Sequence, residues 1–100
     1  MTSVADLVEP ETLREKAGEY LQRAGEVLRA AGRVNIVDFG PMLVTAQVDD
    51  GGEQHHVKLA AVDGDLTVDC DCPTGHDGTL CPHSTATAIE TWHRAPKRQG

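Results

Sequence analysis

The stretch Cys70–His83, CDCPTGHDGTLCPH, decides how the chain is read, because it holds all three cysteines of the protein and two of its five histidines. Cys70, Cys72, Cys81 and His83 fall in the order CxC, a spacer, CxH. Three soft thiolates and one imidazole are the donor set that suits tetrahedral zinc. Ligands two residues apart at each end of a short loop can close around one ion without long reach. Pro73, Gly75 and Gly78 supply the turn chemistry such a loop needs, and Asp77 tolerates unusual backbone angles. The bland reading is three unrelated buried or free thiols. Scattered cysteines seldom arrive as an ordered CxC and CxH, and the pattern favours one metal site.

At these positions the sequence resembles the SWIM-type zinc finger, whose pattern is CxC followed after a variable spacer by CxH; all four positions match. The resemblance extends upstream through GRVNIVDFGPMLVTAQV (residues 32–48) and HHVKLAAVDGDLTVDCDCP (55–73), which look like the β-rich lead-in of such domains, and downstream through CPHSTATAIETW (81–92), which looks like the helix after CxH. It implies one structural zinc ion held by Cys70, Cys72, Cys81 and His83. His76, inside the loop, is the rival nitrogen ligand. His83 is preferred because it completes the pattern beside Cys81 at a helix-initiating position, which leaves His76 and Asp77 at a loop tip or as outer-shell donors.

Length and composition bound the rest. One hundred residues make one domain at most, and with three aromatic residues the core is small. A domain of this kind gains from a staple, and structural zinc contributes about 10–16 kcal/mol of apparent binding free energy in finger peptides. Three cysteines cannot all pair within one chain, and Met1 to Pro10 has neither the basic start nor the apolar run of a signal peptide, so reduced thiols in the cytoplasm are expected. No stretch approaches a membrane span. The formal charge of −7 discourages contact with phosphate backbones.

The expected fold class is α+β: an N-terminal amphipathic helix, a small antiparallel meander of three or four strands, the zinc loop and a short C-terminal helix. Residues 1–9 read as a leader without strong signal. Over residues 10–31, Pro10 suits a first helical turn and Leu13, Ala17, Tyr20, Leu21, Ala24, Val27, Leu28 and Ala31 recur in steps of three and four. That stripe packs on the chain's own sheet or on a partner chain. Gly18 and Gly25 weaken the helix and suggest close approach of another backbone. Residues 32–95 form the zinc-binding domain, with strands expected at Val34–Phe39, Leu43–Val48, His55–Val62 and Leu66–Cys70. Alternation places Val57, Leu59 and Ala61 on one face, and His55 and His56 read as surface residues at a strand start. Pro82 opens the final helix, with His83 in its first turn and Ile89 and Trp92 against the sheet. His93 lies nearly three turns beyond His83, too far to share its ion. Residues 96–100 are a basic tail.

A catalytic zinc keeps an open position, whereas four protein ligands rich in cysteine close the shell, so no enzyme is expected. The deaminase signature, an HExxH pair, a phosphate-binding loop and a GxSxG elbow are all absent from the sequence. Ser84 beside His83 suits helix-start chemistry rather than nucleophilic catalysis. SWIM fingers contact DNA or other proteins and usually sit within longer proteins that process DNA. The resemblance therefore implies an interaction module, most simply a protein–protein adaptor for a larger DNA-processing or regulatory partner. Direct nucleic-acid binding is the alternative, although Arg94, Lys97 and Arg98 with Trp92 offer only a thin basic surface. Nothing in the pattern favours a third reading, a thiol redox or zinc-responsive regulator.

Overall fold

The structure, a computed structural model, describes residues 3–72 and 79–95. In chain order the elements are α1 (Val4–Leu7), α2 (Pro10–Ala30), β1 (Val34–Phe39), β2 (Leu43–Asp50), β3 (Glu53–Val62), β4 (Asp65–Cys70) and α3 (Pro82–Arg94). The four strands form one antiparallel sheet in the order β1-β2-β3-β4. The expected α+β architecture is therefore present, with the meander running to four strands.

Two-residue turns set the register. Gly51 and Gly52 both have positive φ, as do Asp63 and Gly64, the backbone a tight antiparallel hairpin needs. The first of these turns is shorter than the gap left between the strands expected at Leu43–Val48 and His55–Val62. Asp49 and Asp50 belong to β2, and β3 begins at Glu53, with Asp50 opposite Glu53. Alternation then sends Val44, Ala46 and Val48 from β2, and Val57, Leu59 and Ala61 from β3, to the same buried face.

That face is covered by α3, in which every residue from His83 to Ile89 is buried, and Ile89 joins the sheet residues in the core. Trp92 is half-buried at the core's margin. α2 packs chiefly on α3, which lies largely between it and the sheet, while Ala17 and Leu21 of its stripe line a cavity with Leu66 and Val68 of β4. The first residues, which read as a leader, also contribute. Ser3 and Asp6 form a capping box around α1, Val4 and Val8 are fully buried, and the Val4 N–H donates to Pro41 O at 2.7 Å.

The two glycines of α2 have different purposes. Gly18 has φ +88°, and no atom would crowd a side chain there, so it marks a bend and not a contact. The bend is sharp: Gln22 Nε2 donates to Pro10 O at 3.4 Å, across a separation of twelve residues that a straight helix would stretch to about 18 Å. Because the periodicity loses phase there, Tyr20 and Val27 of the expected stripe face solvent. Gly25 is the close approach. A Cβ on it would lie 2.9 Å from both Ala86 N and Thr85 Cγ2. Thr85 turns its methyl to this contact, and its buried Oγ1 has no hydrogen-bond partner among the described residues.

Gly25→Ala should therefore push α2 off α3. Overpacking of this kind costs about 1–3 kcal/mol, measurable as a lower midpoint in urea unfolding of the metal-loaded chain. An unchanged midpoint would show that the helices do not meet as described.

Candidate metal centre

β4 ends at Cys70, two residues before Cys72, and Cys81 and Pro82 open α3. Two chain segments of opposite kind thus arrive at one place. Cys70, Cys72, Cys81 and His83 are all buried, and their ligand atoms lie within 4.8 Å of one another. Among the described residues they are the one group of three or more such side chains able to hold an ion. The three cysteines are free of disulfides. His76, Asp77 and the rest of the loop from Pro73 to Gly78 lie outside the described residues, as do Lys97 and Arg98. His93 is exposed in the last turn of α3, apart from the cluster.

The spacing suits a tetrahedral ion. With Zn–S near 2.3 Å and Zn–N near 2.0–2.1 Å, tetrahedral donors sit roughly 3.8 Å apart for two sulfurs and roughly 3.6 Å apart for sulfur and nitrogen. His83 Nδ1 is 3.8 Å from Cys70 Sγ and 3.8 Å from Cys81 Sγ. The four residues thus fit one metal ion with little rearrangement.

Local structure fixes each donor. Cys81 is the N-cap of α3: in extended backbone, its sulfur accepts from the Ser84 N–H at 3.4 Å, while the Cys81 N–H donates to Ser84 Oγ at 2.9 Å. A thiolate in that place gains from the exposed N–H groups and the positive end of the helix. Ser84 has the helix-start role that its position suggested. Pro82 occupies the first helical position, and His83 falls in the first turn.

His83 Nε2 is 2.8 Å from Asp50 Oδ2. An ionised carboxylate only accepts, so Asp50 holds the proton on Nε2 and leaves the Nδ1 lone pair facing the sulfurs. This carboxylate–histidine pairing is the usual support of a metal-bound imidazole. His55, read from sequence as a surface residue, instead stacks its ring on His83 with centroids 4.1 Å apart. His56 is exposed as expected. Both rings meet the carboxylate of Asp71, the residue between Cys70 and Cys72, at 3.1 and 3.3 Å. Burial disfavours charge on Asp71, but the His56 backbone and the two rings outweigh it and hold the pKa below the ordinary carboxylate value.

Burial pushes the Cys70 thiol well above its ordinary range; the Cys72 backbone opposes this, and the neighbouring Cys81 and Cys72 sulfurs add to it. Without an ion, Cys70 keeps its proton at neutral pH. A cation reverses that preference, because coordination deprotonates a thiol outright.

Compared with protein-family models, with curated proteins and with solved structures, the chain gives no match. Among the described residues no helix is long and apolar enough to cross a membrane.

Removing the Asp50 carboxylate should weaken the metal. Loss of such an outer partner typically costs 10–100-fold in affinity, so Asp50→Ala should release zinc to a competing chelator at correspondingly lower chelator concentration. Wild-type retention by that variant would contradict the role given to Asp50.

Proposed function

We propose that the chain is a structural zinc module of the SWIM type that works as a protein–protein adaptor for a larger partner. What carries this reading is the buried Cys70, Cys72, Cys81 and His83 quartet with donor atoms within 4.8 Å. Zinc is the ion favoured by three thiolates and an imidazole at these separations. The four ligands fill a tetrahedral shell and leave no position for water or substrate, which favours a structural over a catalytic role.

The adaptor role is supported by charge and by exposure. The chain has a net charge of −7, and three thiolates with a neutral imidazole around zinc add about one further negative charge. Such a surface suits a protein partner better than a phosphate backbone. Tyr20 is 83% exposed and Val27 64% exposed on the outer side of α2, where they offer apolar contact. The SWIM assignment rests on the ordered CxC and CxH.

The purified chain should contain one zinc per molecule, and Cys72→Ser or Cys81→Ser should abolish both metal content and the cooperative fold. His76→Ala should keep its zinc, since His83 already supplies the nitrogen. The metal's apparent binding energy, about 10–16 kcal/mol in finger peptides, matches the whole net stability of a domain at about 5–15 kcal/mol. Chelation should therefore unfold the chain in circular dichroism. A metal-free chain with unchanged melting would refute the zinc role.

The adaptor and DNA-binding readings separate in a titration with single- and double-stranded DNA across a salt series. The adaptor shows no binding at physiological salt. Binding that falls steeply with rising salt would replace it with the nucleic-acid reading.

A further inference from the structure

The imidazole of His83 is held at two points by what has been described, and two points leave one motion open. Its Cβ–Cγ bond anchors one end, and the contact from Nε2 to Asp50 Oδ2 at 2.8 Å anchors the other. In a histidine ring the Cβ–Cγ axis passes between Cε1 and Nε2, so rotation about χ2 displaces Nδ1 more than Nε2, and a single contact from Nε2 to the half-exposed Asp50 carboxylate restrains small rotations only weakly. The same rotation, which is broad and weakly restrained for a histidine, swings Nδ1 away from Cys70 and Cys81.

His55 lies where that rotation would have to pass. Its ring covers the face of His83 at 4.1 Å between centroids and 21° between planes. His55 is itself fixed: Nδ1 is 3.1 Å from Asp71 Oδ1, and Nε2 is 3.6 Å from Glu53 Oε1. Asp71 is in turn tied to β3, where its N–H donates to His56 O at 3.2 Å and its second oxygen meets His56 Nδ1 at 3.3 Å. The residue between the first two cysteines is thereby linked, through His55, to the histidine that completes the site.

We infer that His55 is a positioning residue of the metal centre: its ring, lying against the face of His83, stops His83 from rotating and holds Nδ1 on the ion. The inference rests on the zinc reading and adds to it a determinant outside the CxC and CxH pattern. His55 does not ligate the ion. Both of its nitrogens face carboxylates, and its contribution passes through the plane of His83.

The test uses the full chain loaded with zinc, and separately with cobalt(II), whose visible ligand-field bands report donor geometry. His55→Ala should weaken zinc affinity by about 10–100-fold, the range for outer partners of a metal ligand, and should change the cobalt bands. His55→Phe keeps a flat ring against His83 while losing both carboxylate contacts, and should restore the cobalt spectrum and most of the affinity. A residue needed only for folding would lower thermal stability without altering the bands of the folded cobalt form. Should His55→Ala fail to fold, His55→Gln removes the ring while keeping a polar group toward Asp71, and the same comparison with His55→Phe applies. Wild-type affinity and spectrum in the variant lacking the ring overturn the inference alone, as does a failure of His55→Phe to rescue. A wild-type chain that takes up neither ion removes the zinc reading, and this inference with it.

Discussion

Three sulfur atoms and an imidazole nitrogen lie within 4.8 Å of one another and away from water. As thiolates in that space the sulfurs would repel one another, and as thiols they would form a small and weakly cohesive core. A cation removes the conflict by making the deprotonated form the favourable one. Much of the architecture follows from bringing these donors together. The sheet ends at Cys70, the last helix begins at Cys81, and the ion would join β4 to α3 where few large apolar side chains are available to do so.

The surrounding structure holds the donors from several directions. Ser84 completes the cap that places the Cys81 sulfur at the start of α3. Behind that first turn the α2 backbone comes so close that only a glycine fits at position 25. Arg29 of α2 reaches Glu90 at 3.6 Å, and Arg94 meets the same carboxylate at 2.9 Å, bracing the two helices on their solvent side. On the opposite side the β2–β3 hairpin brings Asp50 and His55 to His83. The helix that carries two of the four ligands is therefore packed on one face by the sheet and on another by α2.

The parts of this arrangement that sequence discloses are those written locally. The CxC and CxH quartet, the strand alternation of Val57, Leu59 and Ala61, and the opening of α3 at Pro82 each depend on residues close together in the chain, and all are recovered in the structure. Asp50 depends on a turn. The pair Gly51-Gly52 is a signal for a two-residue hairpin, and reading it so makes Asp50 the last residue of β2, whereas a strand ended at Val48 leaves it out. His55 follows from the period of two, which carries the buried face from Val57 back to it. The bend at Gly18 is hidden for another reason, since the apolar spacing runs through it unbroken while the backbone does not. The short α1 offers too few residues for any periodicity, and its sign is the Ser3–Asp6 capping box alone.

X-ray absorption at the zinc edge of the purified chain counts and ranges the donors around the ion. Coordination by Cys70, Cys72, Cys81 and His83 gives three sulfur neighbours near 2.3 Å and one nitrogen near 2.0–2.1 Å in a four-coordinate shell. A shell dominated by oxygen or by several imidazoles, or a purified protein without zinc, would contradict it.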